Sequence, residues 1–84
     1  MLAPGVHLKP KGKLVVRDLE PGETVPGHSH PAGHFCIIDG DATVTMLGAA
    51  HRLTHGALWV PAGVVHDIQA HGRTRMYCAG GEGF

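Results

Sequence analysis

Apolar and polar residues alternate along most of this chain, in short segments that glycine and proline separate. Residues i and i+2 of a strand share a face, so such alternation predicts strands with one buried side. No stretch of about 12 residues shows a helical period. The pattern therefore predicts an all-β chain of about eight short strands, arranged as a barrel or jelly roll. The predicted strands are 13–19, 24–30, 34–38, 41–47, 50–53, 57–60, 65–70 and 73–79.

Turn residues mark where these strands are expected to reverse. The sequence EPGE at 20–23 has Pro and Gly at the positions that a β-turn prefers. Asp39-Gly40 predicts a tight hairpin between segments 34–38 and 41–47. Further turns are predicted at 54–56 and at 71–72. The chain should therefore be a series of short strands joined by tight connections.

Length and composition limit the classes of protein to consider. The chain has 84 residues, which predicts one domain, with an arm at 1–12, a barrel at 13–79 and a tail at 80–84. Seven basic and seven acidic residues give no net charge, which argues against a nucleic-acid partner. No apolar run is long enough to cross a membrane. No apolar core of a signal peptide is visible near the N-terminus, so we expect a cytoplasmic protein.

The cysteines are Cys36 and Cys78, and each lies in an apolar, strand-like segment. In a reducing compartment such residues are expected to be buried thiols instead of a disulfide.

Four histidines form the strongest chemical signal. His28, His30 and His34 fall within seven residues, and His66 follows a second segment rich in Gly and Pro. His28 and His30 are two residues apart, so a strand would aim both imidazoles at the same side. Imidazole nitrogen suits Fe, Cu, Ni and Zn. The spacing therefore predicts one metal site built from two separated segments.

The two segments resemble the paired motifs of the cupin superfamily, which are small barrels of the double-stranded β-helix or jelly-roll type. In the first, Gly22, His28-Ser29-His30 and Gly40 match the motif. In the second, Gly56, Pro61-Ala62-Gly63 and His66 match. His34 stands in place of the glutamate that is usual in the family. The resemblance implies a four-histidine site of the kind that binds a divalent transition metal such as Fe, Mn, Ni, Zn or Cu.

Both motifs are one residue shorter than the family pattern, and this leaves two alternatives for His34. A shift of one residue in a strand moves side chains to the opposite face. If the shortening falls in the predicted hairpin turn, His34 points inward. If it falls at 31–33, His34 points outward and Gly33 takes the ligand's place.

The same parity predicts the wall of the site. Cys36 and Ile38 should share the inward face of His34, Ile68 that of His66, and Met76 should line the barrel. We expect a metal-dependent oxidoreductase of the dioxygenase type that acts on a small oxygenated molecule. A non-enzymatic metal or small-ligand module and a metal-dependent isomerase or lyase remain alternatives. The small size and the resemblance both favour a homodimer.

Overall fold

The computed structural model describes residues 13–80, and this part of the chain consists of six strands without a helix. The predicted all-β class is confirmed. The strands are β1 (Lys13–Leu19), β2 (Thr24–His28), β3 (His34–Met46), β4 (Ala49–Val60), β5 (His66–Ala70) and β6 (Thr74–Gly80). The predicted arm at 1–12 lies outside the described residues, as does the predicted tail beyond Gly80.

All strand pairs are antiparallel, and β3 is the centre of the sheet. One edge of β3 pairs with β4, while the other edge is divided between two partners. Positions 34–39 of β3 pair with β6, and positions 42–46 pair with β5. β1 continues the sheet beyond β6, and β2 continues it beyond β5. The sheet therefore curls into a half-barrel, with β1 and β2 on either side of its concave face.

The hairpin predicted at Asp39-Gly40 is wrong, because β3 runs through these residues without reversing. Gly40 instead bends the strand, with φ of +146° and a register shift between Asp39 and Ala42. A Cβ atom at Gly40 would lie 2.6 Å from the carbonyl oxygen of Arg73 and 2.7 Å from the Cα atom of Thr74. Only glycine allows β6 to begin so close to the bend.

The hairpin lies at Leu47-Gly48 instead, where Met46 and Ala49 are paired across a two-residue turn. Both turn residues have positive φ, 52° and 73°, as a tight hairpin between twisted strands requires. The turn predicted at 54–56 is also wrong. β4 is continuous there, since its residues pair with β3 through this segment, and the expected eight strands become six.

Two of the predicted turns are confirmed. The amide of Glu23 donates to the carbonyl of Glu20 at 3.0 Å, and Gly22 has φ of +84°. At the second turn, the amides of His71 and Gly72 both donate to the carbonyl of Asp41, at 2.8 and 3.2 Å. The second turn thereby ties the β5–β6 connection to the bend in β3.

The core lies on the concave face of the sheet. Its largest fully buried apolar members come from β1, β3, β4 and β5, and each exposes at most 1% of its surface: Leu19, Ile38, Val44, Val60 and Ile68. The four side chains predicted to point inward, Cys36, Ile38, Ile68 and Met76, are all buried. His34, His66 and Thr74 are the buried polar residues of the described chain. A small core that encloses two imidazoles must compensate for the burial of their polar nitrogens.

The convex face carries a second apolar surface, here named the outer patch. Its first row crosses four strands through the register partners Leu14, Ala79, Phe35 and Trp59. Its second row consists of Val16, Tyr77, Ile37 and Ala57. A polar row of Asp18, Arg75, Asp39 and His55 follows and borders the patch. Leu14, Phe35 and Trp59 are each about half exposed, at 50, 49 and 50%. Within residues 13–80, no helix is long and apolar enough to cross a membrane.

Candidate metal centre

Two neighbouring strands bring three of the predicted histidines together. His28 on β2 is the register partner of His66 on β5, and their ring centroids are 4.3 Å apart. His30 follows two residues after His28, and its ring lies 4.9 Å from His28 and 5.6 Å from His66. One possible ligand atom from each of the three residues lies within 4.8 Å of the others, so the group could hold a metal ion.

Backbone hydrogen bonds orient two of these rings. Nδ1 of His28 donates to the carbonyl of Pro26 at 2.8 Å, and Nδ1 of His66 donates to the carbonyl of Val64 at 3.0 Å. A carbonyl oxygen only accepts, so each Nδ1 carries the proton and each Nε2 keeps its lone pair for a ligand. Such partners are typical of metal-binding histidines, because they set both tautomer and ring orientation.

His34 lies beside this group at the start of β3. Its ring centroid is 4.7 Å from that of His30 and 5.2 Å from that of His66, and the side chain is fully buried. Burial, with the nearby rings of His30 and His66 acting in the same direction, lowers the pKa of His34 to about 4. His34 therefore points inward, which is the first of the two alternatives. Gly33 does not take its place, because a Cβ atom at Gly33 would point toward Trp59 of the outer patch, at 2.4 Å from the indole.

The bend in β3 is what brings His34 to His66. His66 is paired with Met46, at the opposite end of β3 from His34. Thirteen residues of straight strand would separate the two ends by about 40 Å. The rings are nevertheless 5.2 Å apart, because β3 curls around the core at Gly40. The candidate site therefore depends on the curvature of one strand as much as on the histidines themselves.

A cavity of about 110 Å³ opens beside His28 and His30. The remaining lining residues come from β1, β2 and β6: Val15, Arg17, Val25, Met76 and Cys78. Met76 is the predicted wall residue that lines this cavity, whereas Cys36, Ile38 and Ile68 lie in the core. A larger cleft of about 300 Å³ has a wall of charged residues and Thr74 with none of the four histidines, so the smaller cavity is the one relevant to metal chemistry.

The two cysteines form a pair. Cys36 and Cys78 are register partners on β3 and β6, and both are free, buried thiols, as predicted. A hydrogen bond between the thiols, together with burial, raises the pKa of Cys36 well above its ordinary value. The same hydrogen bond lowers the pKa of Cys78. Cys78 is the member that also lines the cavity.

Arg17 is a cavity residue that sequence reasoning missed. It lies in KLVVRDL, where apolar residues occupy both faces of the strand. Its pairing with Met76 shows which face is turned inward, and this pairing is visible only in the folded sheet. The histidines at 51, 55 and 71 lie outside the cluster, and His55 contacts Asp39 at 3.0 Å.

Comparison with known proteins identifies the architecture. Neither protein-family profiles nor curated protein sequences give a match. Among solved structures, the chain resembles a cupin superfamily protein from Desulfitobacterium hafniense, with a TM-score of 0.81, 22% identity, and coverage of 92% of this chain and 72% of that one. It resembles a conserved protein of unknown function from Streptococcus pyogenes, with a TM-score of 0.78, 24% identity, and coverage of 88% and 67%. KdgF from Halomonas sp. has a TM-score of 0.69, 20% identity, and coverage of 95% and 83%.

The chain therefore has the cupin fold, the double-stranded β-helix that the motifs of the sequence resemble. On the concave side of this fold, His28, His30 and His66 form a group that could bind a metal ion.

Proposed function

We propose that this chain binds one divalent transition-metal ion through His28, His30, His34 and His66. The observation that carries the proposal is that imidazole donor atoms of His28, His30 and His66 lie within 4.8 Å of one another. His28 ends β2, His30 follows it by two residues, and His66 begins β5. His34 adds a fourth imidazole beside them. An all-imidazole donor set suits Fe, Ni, Zn and Cu. Mn is a further candidate because of the resemblance to the cupin motifs.

The residues around the donors are suited to hold such an ion. Hydrogen bonds to the carbonyls of Pro26 and Val64 orient the rings of His28 and His66. His34 and His66 are almost completely buried, so bulk water reaches the group only from the side of His28 and His30. Apolar neighbours on the cavity wall, Val25 and Met76 among them, lower the local polarity.

The proposed activity is that of a metal-dependent oxidoreductase, dioxygenase-like, acting on a small oxygenated molecule. When bound, the metal would supply Lewis-acid and redox chemistry at coordination positions that the protein leaves open. The chain contributes the cavity beside His28 and His30, which has room for a small ligand next to the donors. The cavity wall restricts access of water and sets the direction from which the ligand approaches.

Elemental analysis of the purified protein tests the metal site. Oxygen-electrode measurements on the Fe(II)-loaded form test the proposed activity. We expect about one metal ion per chain and oxygen uptake with a small oxygenated substrate such as a diketone. Absence of stoichiometric metal would contradict the metal site. Stoichiometric metal without oxygen uptake would instead support the second candidate, a metal-binding module without catalysis, which a fourth imidazole at His34 favours because it leaves fewer open coordination positions.

The proposed assembly is a homodimer formed through the outer patch. Two rows of apolar and aromatic side chains cross four strands, or about 15 Å of sheet, and large exposed patches of this kind mark interaction surfaces. The bordering row carries both signs of charge, since Asp18 pairs with Arg75 at 2.8 Å and Asp39 with His55 at 3.0 Å. A second copy would therefore bury the apolar rows, and its own bordering row would offer both acidic and basic side chains to this one.

A further inference from the structure

The arginines within residues 13–80 differ in whether they form an ion pair with a carboxylate. Three form ion pairs with carboxylates: Arg52 with Asp41, Arg73 with Glu20, and Arg75 with Asp18. For Arg17, no carboxylate partner is found among residues 13–80. A guanidinium is charged at every physiological pH and offers a planar set of donors that fits a carboxylate. Arg17 is therefore the arginine whose charge is available to a ligand.

Arg17 also lies where a ligand of the candidate metal centre would lie. Its register partner is Met76, whose side chain is buried on the concave face, so Arg17 extends from β1 toward the same side. Its side chain lines the cavity of about 110 Å³ that His28 and His30 also line. One wall of the cavity thus carries a permanent cation, and another carries the imidazoles of the candidate metal centre.

Among residues 13–80, no carboxylate lines the cavity. Besides Arg17 and the two histidines, the lining residues of this part of the chain are Val15, Val25, Met76 and Cys78. A guanidinium beside apolar walls attracts anions more strongly than it would in open water. A metal ion held by neutral imidazoles would add to this positive potential. The charges therefore favour an anionic ligand over a neutral one of the same shape.

We infer that the cavity binds a small carboxylate, with the guanidinium of Arg17 as its carboxylate-binding group and a second oxygen of the ligand directed toward the histidine cluster. The inference rests on the proposed metal site, whose substrate class it specifies. Size agrees with it, because about 110 Å³ equals the volume of roughly four waters at about 30 Å³ each. A ligand of about four to six non-hydrogen atoms, such as a 2-oxo acid, fits this space.

Pyruvate and its neutral amide, pyruvamide, are suitable probes because they share size and vicinal oxygens but differ in charge. Each is titrated calorimetrically into Co(II)-loaded wild-type protein and into three variants, Arg17→Met, Arg17→Lys and Arg75→Met, and metal content is measured in every sample. Arg75→Met is the matched control, since Arg75 is paired with Asp18 in the polar row of the convex face.

We expect Arg17→Met to weaken pyruvate binding by about 10- to 100-fold, the usual size of losing a hydrogen-bonded charge, and to leave pyruvamide binding and metal content unchanged. Arg17→Lys should lose less, because it keeps the charge without the planar fork. Arg75→Met should behave as wild type.

The inference is overturned if Co(II)-loaded wild type does not bind pyruvate, or if fully metal-loaded Arg17→Met binds it as tightly as wild type. Equal weakening of pyruvate and pyruvamide would also overturn it, because a change of cavity shape would then explain the result. In each of these cases the proposed metal site remains intact. Failure of wild type to take up metal would remove the metal site and the inference together.

Discussion

His28 and His66 lie directly opposite each other on antiparallel strands, with ring centroids 4.3 Å apart, and each ring donates its Nδ1 proton to the carbonyl two residues earlier in the chain. The two segments that supply them are distant in sequence but use the same local geometry. These hydrogen bonds set the tautomer and the ring orientation that a metal-binding histidine requires.

Removing one of these rings should abolish tight metal binding. His66→Gln takes away a buried donor that the carbonyl of Val64 holds in place. Loss of an outer partner of a ligand already costs 10- to 100-fold in affinity, so loss of the ligand itself should cost at least about 100-fold. Metal content after equilibrium dialysis measures the effect. His55→Gln, at an exposed histidine outside the cluster, is the control and should keep its metal; full occupancy in His66→Gln would refute the ligand assignment.

Substitution at the bend of β3 should disrupt both the fold and the site. Gly40→Ala places a methyl group 2.6 Å from the carbonyl oxygen of Arg73, at a φ of +146° that other residues avoid. Backbone strain and overpacking together should lower the free energy of unfolding by roughly 2–5 kcal/mol. Gly48→Ala, at φ +73° with no atom within 4 Å, should lose only about 1–2 kcal/mol. Urea unfolding monitored by Trp59 fluorescence compares the two, and equal losses would contradict the role of Gly40.

Acid should destabilise the metal-free protein through His34. Its pKa is lowered to about 4 in the folded chain, while the pKa of a histidine in an unfolded chain is near 6.5. Between these values the unfolded chain binds the additional proton, so the stabilisation present above pH 6.5 is lost as pH falls toward 4. The loss is on the order of 1–3 kcal/mol. Unfolding free energies of wild type and His34→Gln, measured between pH 7 and pH 4.5, should converge as pH falls; a constant difference would contradict the expectation.

The cysteine pair should form a disulfide within one chain under mild oxidation. Register partners in an antiparallel pair have Cα atoms about 4.5–5.5 Å apart, which a disulfide can span. Hydrogen peroxide would oxidise Cys36 and Cys78 to one disulfide and be reduced to two waters. Intact mass of the metal-free protein should fall by about 2 Da, with no covalent dimer. Cys36→Ser should not show this loss, and a wild type that only gains oxygen atoms would contradict the pairing.

The outer patch should control association. Ile37→Lys places a charge within its second row, between Tyr77 and Ala57, and should shift the protein to monomer in sedimentation equilibrium. Leu47→Lys is the matched control, because Leu47 is 75% exposed in the β3–β4 turn, away from the patch. A dimer of unchanged affinity in Ile37→Lys would place the interface elsewhere, and a monomeric wild type would refute the homodimer.

The sequence predicts strand faces well where one side is clearly apolar. In RTRMYCA, parity identifies Met76 as an inward residue, and in HFCII it places Cys36 and Ile38 on the same face as His34. Parity fails in β1, because Leu14 and Val16 are as apolar as Val15, and only pairing with β6 shows that Arg17 is turned toward the cavity. A local pattern does not contain the register of a distant partner, and that register decides such cases.

The same reason explains the errors at turns. Asp39-Gly40 has the composition of a hairpin turn, yet its backbone is part of a long strand that pairs on both sides. The gain from these pairings exceeds the local turn preference. For the histidines, spacing identified four imidazoles that the fold brings close together, but the direction of His34 depended on where the motif is one residue short. The curvature of β3 at Gly40 decides this direction, because it turns His34 toward His66.

The position of β3 between β4 on one edge and β5 and β6 on the other predicts an order of folding. The β3–β4 hairpin joins strands that are adjacent in sequence, and such hairpins close within about 1–10 μs. β5 and β6 reach β3 only by closing longer loops, which is slower. The imidazoles therefore meet only when the last strands have docked, and a metal ion added during refolding would report the end of the process instead of nucleating its beginning.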